Sequence, residues 1–225
     1  MKLIHTCPKC SKEHELDSVP EPSQKCHECI NFNTFINLVR NQFEYGGQKY
    51  AFNDTRESTD VLFDKHGKNW LFGTMDKYTF RYINCAREKD ILKIATYCFI
   101  LWLKRGFFID NNRINPIDTN IEIKTAQFNK FIKNFEKHIS NRKKQEKELI
   151  KLEKDYTDLD YIKAISERVQ SFSNHYWTSI SEYYIFRIFY HTMKIYILKF
   201  IDKAGQDTDT YNEGKKEDNN EKSIK

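Results

Sequence analysis

Glycine and proline are scarce in this chain, seven and four among 225 residues, and neither occurs between Pro116 and Gly205. These are the strongest local breakers of regular structure, so their absence over residues 117–204 predicts helices throughout the C-terminal half. Long apolar runs are missing as well. Residues 94–103 carry no charge, but they number only ten, and the longer run 183–200 is interrupted by Arg187, His191, Lys194 and Lys199. A spanning helix needs about 20 predominantly apolar residues, so both runs are expected as core helices. The N-terminus has no basic stretch followed by an apolar one, which argues against a secretory signal and predicts a cytoplasmic protein.

The familiar catalytic signatures are absent too. GxxxxGK[ST], GxGxxG, GxSxG and HExxH do not occur, which removes phosphate-loop, dinucleotide, nucleophile-elbow and zinc-protease chemistry of those types. Asp54, Asp60, Asp64 and Asp76 could gather into an acidic metal site of the nuclease type. Nothing in their spacing separates that reading from exposed turn residues, and a non-enzymatic role is the expectation.

What the chain does contain is aromatic residues, 17 Phe, 13 Tyr and three Trp, or 15% of the total. Each large ring buries about 150–250 Å², so a core forms although hydrophobic residues make up only 39%. The excess of Lys, Asn, Ile, Tyr and Phe is what AT-rich coding sequence tends to produce, as in low-GC bacteria, phages and other mobile elements.

Four of the six cysteines stand in metal-ligand spacing: Cys7-Pro8-Lys9-Cys10 and, fifteen residues on, Cys26-His27-Glu28-Cys29. Each pair can aim two thiolates at one ion, and two pairs complete a closed tetrahedral shell, so one structural zinc is expected. His5, His14 and His27 are the substitutes if a thiolate is not used. Residues 1–30 resemble a zinc-ribbon or treble-clef module, and such modules bind DNA, RNA or protein, or staple a terminus. Cys85 and Cys98 stand alone in apolar surroundings and are expected as buried small hydrophobes.

The expected class is mainly α with a small antiparallel β-sheet, in three parts: the zinc module to residue 30, a mainly helical domain over 31–204, and a disordered tail over 205–225. The tail is too polar to bury enough surface to offset its ordering entropy. Phe32, Phe35, Ile36, Val39 and Phe43 fall at helical spacing, predicting a helix over 30–45 that ends at Gly46-Gly47. Over 48–72, Tyr50, Phe52, Val61-Leu62-Phe63 and Trp70-Leu71-Phe72 point to strands, with residues 64–68 as a hairpin turn. Two helices should follow, one with Met75, Tyr78, Thr79, Tyr82, Ile83 and Ala86 on its inner face, the other with Ile91, Ile94, Ala95, Cys98 and Trp102. Beyond Pro116, the heptad positions 128, 131, 135, 149, 152, 156 and 159 predict a long helix or helical hairpin with a break near Thr157-Asp158. A last buried helix is expected over 174–203.

The charge is uneven. Residues 130–154 hold nine Lys or Arg against four Glu, an excess of five that equals the net charge of the whole chain. Cations on a helix can neutralise phosphates and release counterions, giving sequence-independent affinity for nucleic acid. Lys137, Arg142, Lys143, Lys144, Lys147 and Lys151 are the candidate contacts, with 142–144 the densest point. The competing interpretation is a solvated face held by intrahelical pairs such as Arg142 with Glu146. Aromatics beside positive charge, namely Tyr176 and Trp177 at His175 and Tyr78, Phe80 and Tyr82 around Arg81, could stack on unpaired bases, although rings at helical spacing are usually core. The expected function is therefore a non-enzymatic zinc protein contacting RNA or DNA backbone. The alternative is a protein-directed regulator or inhibitor from a phage or mobile element, acting on a nucleic-acid-loaded host complex.

Overall fold

Residues 58–104 form three helices, where strands were expected up to residue 72. In the computed structural model, which describes residues 3–6, 13–16, 27–49, 58–104, 121–145, 153–174 and 182–201, Ser58–His66 is α2, Lys68–Cys85 is α3 and Glu88–Lys104 is α4. No strand lies between residues 27 and 201 among the described residues, so the α+β class gives way to an all-helical main domain. The reason is visible in the burial pattern. Asp60 and Phe63 turn inward on α2, and Leu71, Phe72, Met75, Tyr78, Thr79 and Tyr82 on α3, which is the 3.6-residue period. Short apolar runs such as Val61-Leu62-Phe63 do not by themselves distinguish the two periods. Gly67, expected in a hairpin turn, instead separates two helices with φ 63°, where glycine has no Cβ to clash. Tyr50 and Phe52 lie outside the described residues.

α1 spans His27–Lys49 and passes through Gly46 and Gly47 rather than stopping there. Glycine weakens a helix interior by about 1 kcal/mol but does not forbid it. The inner face of α1 is as expected, with Phe35, Ile36, Val39 and Phe43 buried. Ile91, Ile94, Ala95, Cys98 and Trp102 of α4 are buried too, whereas Ile83, Cys85 and Ala86 at the end of α3 are exposed. Ala86 is the left-handed cap of α3 (φ 46°), its N–H donating to Tyr82 O at 2.8 Å. Two four-residue strands, Leu3–Thr6 (β1) and Glu13–Leu16 (β2), pair antiparallel with Leu3 opposite Leu16.

Among the described residues the C-terminal half holds three α-helices, where a long helix or helical hairpin followed by a last helix was expected. α5 covers Ile121–Gln145, a 3₁₀ turn covers Glu153–Asp155, α6 covers Asp158–Asn174, and α7 covers Glu182–Tyr196 before a π-helical turn at Ile197–Ile201. The break expected near Thr157-Asp158 is there, and its cause is a capping box. Thr157 Oγ1 accepts from Asp160 N at 3.3 Å, while Asp160 Oδ2 accepts from Thr157 N at 2.9 Å and from Thr157 Oγ1 at 2.7 Å. The heptad frame fails beyond it, since Leu159 is 52% exposed.

α4 and α7 form the central antiparallel pair. Trp102 Nε1 near the end of α4 donates to Glu182 Oε1 in the first turn of α7 at 2.8 Å, and Tyr196 near the end of α7 donates to Glu88 at the start of α4. α1, α3, α5 and α6 pack around that pair. The core is a net of Phe rings in edge-to-face contact: Phe131 and Phe135 of α5 meet Phe189 of α7 at 5.0 and 4.7 Å, and Phe99 of α4 meets Phe43 and Phe128 at 4.9 and 5.2 Å. Such pairs add about 0.5–1.5 kcal/mol each beyond the area they bury.

Candidate functional site

Where α5, the 3₁₀ turn and α7 converge, one buried carboxylate gathers two guanidiniums and an imidazole around it. Arg187 and His191 stand four residues apart on α7, one turn of helix, and so share a face directed at Glu153 of the 3₁₀ turn. Oε1 of Glu153 accepts from Arg142 Nη2 at 2.5 Å and from Arg187 Nη2 at 3.0 Å, and Nε2 of His191 lies 3.6 Å from the same oxygen. The backbone carbonyl of Glu153 accepts from the Tyr161 hydroxyl of α6 at 3.0 Å. The Arg142 guanidinium stacks on the Tyr190 ring at 4.8 Å. All four charged or titratable side chains are at least 96% buried.

Burial alone would raise the Glu153 pKa. His191 and the two guanidiniums outweigh it, so the carboxyl titrates at about 2. His191 also titrates below its ordinary value: burial, reinforced by the charges of Arg168 and Arg187, lowers its pKa to about 4 against the pull of Glu153. Near neutrality the cluster is therefore two guanidiniums, one carboxylate and a neutral imidazole. Burial also pushes the phenols of Tyr161 and Tyr190 up, so both remain protonated. None of these residues lines the open depression on the surface, which has a volume of about 360 Å³ between α3 and α6. With its imidazole 1% exposed, the cluster is an internal lock that fixes the end of α5 against α7.

A second buried pair ties α2 to the end of α4. Lys104 and Asp60 form an ion pair, both essentially without solvent exposure, and the Lys104 ammonium lies 5.4 Å from the Phe63 ring centre.

These two locks decide the fate of several residues singled out from the sequence. Arg142, expected on a phosphate-facing surface or paired with Glu146, is 4% exposed and held by Glu153 eleven positions away. Lys137 is exposed on α5. Lys143 and Lys144 are within α5 with side chains outside the described residues, and Lys147 and Lys151 lie outside them altogether. Of the four aspartates, Asp54 lies outside, Asp60 is turned to Lys104, and Asp64 and Asp76 are exposed. Among the described residues no three His, Cys, Asp or Glu side chains converge as metal ligands. Cys7, Cys10 and Cys26 lie outside the described residues, and Cys29 is in the first turn of α1 with its side chain outside them. Of the rings around Arg81, Tyr78 and Tyr82 are buried and Phe80 is 67% exposed; His175, Tyr176 and Trp177 lie outside.

Sequence reasoning missed the Glu153 cluster, although a signal for it existed. A helix apolar on most of its circumference that nonetheless carries Arg and His at i and i+4 requires a buried acid to face them.

Among the described residues no helix is long and apolar enough to cross a membrane. No family model, curated protein or solved structure matches the chain.

Proposed function

We propose that the chain is a zinc-bearing protein that binds the phosphate backbone of nucleic acid along the outer face of α5. The observation that carries this reading is that Lys130, Lys133 and Lys137 are all exposed and recur at helical spacing, while Arg142 is drawn inward and anchors the helix that presents them. The three lysines span about 10 Å of helix axis, and Glu136 is the one exposed acid between Lys130 and Lys137. Arg40 of α1 adds a fourth cation at the edge, its Nη2 donating to Asn129 Oδ1 of α5 at 3.0 Å. A lysine row of this kind gives affinity without sequence preference, because it reads charge rather than base edges.

The test is retention on nonspecific single- and double-stranded nucleic acid as a function of salt. Binding should fall linearly on a log–log plot, and Lys130→Glu/Lys133→Glu/Lys137→Glu should reduce the slope by about 2–3, close to one for each phosphate no longer neutralised. Binding that is absent at low salt, or indifferent to salt, sinks the proposal. A single protein recovered from the host in stoichiometric amount, with no nucleic acid, would favour a protein-directed regulator instead.

The zinc belongs to the same proposal. It rests on the CxxC spacing and on the first pair falling between the paired strands β1 and β2. Elemental analysis should find close to one zinc per chain, and Cys26→Ser should release it while the helical domain still melts cooperatively. Fully folded, metal-free wild type would contradict this.

A further inference from the structure

α3 and α6 share an outer face that neither buried lock nor the α5 lysine row uses. They run antiparallel, since Tyr82 near the end of α3 donates to Asp158 Oδ2 at the start of α6 at 3.3 Å. Along α3 this face carries Gly73, Asp76, Lys77, Phe80 and Ile83, all exposed, and α6 contributes Leu159, Lys163, Glu167 and Gln170. Phe80, Ile83 and Leu159 keep 67%, 47% and 52% of their surface open. Three large apolar side chains on one two-helix face are more than scattered surface hydrophobics explain. The depression of about 360 Å³ lies within this face, lined by Gly73, Phe80 and Ile83 from α3 and by Ser166 and Gln170 from α6.

We propose that this face joins a second copy of the chain in a two-fold symmetric dimer, with Phe80 of each copy entering the depression beside Gly73 of the other. In a two-fold contact the same patch meets itself, so residue i opposes j and j opposes i. An antiparallel crossing of two α3 helices at their midpoint, between Asp76 and Lys77 of Lys68–Cys85, sets each Asp76 opposite the other copy's Lys77. The same crossing sets each Phe80 opposite the other copy's Gly73. The ring thus meets the one position on the face without a side chain, where an added Cβ would have no atom within 4 Å. Charge favours the same occupant. Asp76 and Glu167 balance Lys77 and Lys163, so this face is neutral on a chain of net charge +5 whose copies otherwise repel. Arg81 at its flank is engaged by Asp90 at 3.5 Å. Two helices of this length present about 25 Å by 20 Å, so a dimer buries about 1,000 Å² in total, at the lower bound for a specific interface. The dimer is therefore concentration-dependent.

Sedimentation velocity and light scattering on the full, zinc-loaded chain across a concentration series test it. Wild type should shift toward twice 27.1 kDa as concentration rises. Gly73→Arg fills the depression from an exposed helix position that has room for a side chain, so the fold is retained while dimerisation weakens by roughly tenfold or more. Phe80→Ala should act likewise, and Lys137→Glu on α5 should leave the mass unchanged. A wild type that stays at 27.1 kDa at every concentration overturns the proposal, and so does a dimer that survives both Gly73→Arg and Phe80→Ala.

Discussion

Glu153→Ala is expected to cost the fold about 3–5 kcal/mol, because it strands two guanidiniums in the core with no carboxylate between them. That is a large share of the roughly 5–15 kcal/mol that holds a domain of this size together. The loss should appear as a lower denaturant midpoint with an unchanged slope. Glu153→Gln keeps an acceptor but not the charge and should fall between wild type and alanine. A loss below about 1 kcal/mol for the alanine variant would show that the cluster contributes no more than a surface pair does.

The same cluster sets a direction for the pH dependence of stability. Glu153 titrates at about 2 in the folded chain and near its ordinary 4.5 when unfolded, so its contribution is present above pH 4.5 and disappears as pH falls toward 2. His191 titrates at about 4 when folded and near 6.5 when unfolded. The unfolded chain binds that proton first, so stability falls between pH 6.5 and 4 as well. Both groups therefore make acid destabilising, in two adjoining windows. His191→Phe should flatten the upper window and, because it removes one of the groups that hold the Glu153 carboxyl down, narrow the lower one, as urea midpoints measured from pH 7 to pH 3 would reveal.

Asp60→Ala is the second substitution expected to have a large effect, again about 3–5 kcal/mol, since it leaves the Lys104 ammonium buried without its carboxylate. Replacing both partners together, Asp60→Leu with Lys104→Met, should recover most of that loss, because an apolar pair of similar volume has no desolvation cost to offset. If the double variant is as unstable as Asp60→Ala, then shape rather than charge is what the pair provides. Hydrogen exchange should place the opening of the single variant at α2, a nine-residue helix too short to persist without tertiary support.

The buried faces of α1 and α4 were legible because each repeats apolar residues at the helical period over many turns. α3 was legible only in its second half, where Met75, Tyr78, Thr79 and Tyr82 supply the period. Its first half, and α2, contain apolar triplets with β-branched and aromatic residues that satisfy the strand pattern equally well. What excludes strands there is burial against α4 and the Lys104 pairing. Neither can be read from a window of eleven residues.

The candidate site divides the same way. An excess of positive charge over 130–154 is a property of sequence, and the exposure of Lys130, Lys133 and Lys137 agrees with it. Which of those cations faces solvent is not a property of sequence. Arg142 is removed by Glu153 eleven residues later, and Glu153 is held in turn by Arg187 another 34 positions on.

Sequence by itself determined that the described residues of the C-terminal half are mainly helical, that a break falls near Thr157-Asp158, and that positive charge accumulates over residues 130–154, because periodicity and composition act over one or two turns. Tertiary structure alone decided that residues 58–72 are helix, that Arg142 serves the core, and that Phe80 and Ile83 remain outside. Those outcomes depend on which helices become neighbours, and a buried charge or an open ring has its energy set by the groups that the fold brings against it.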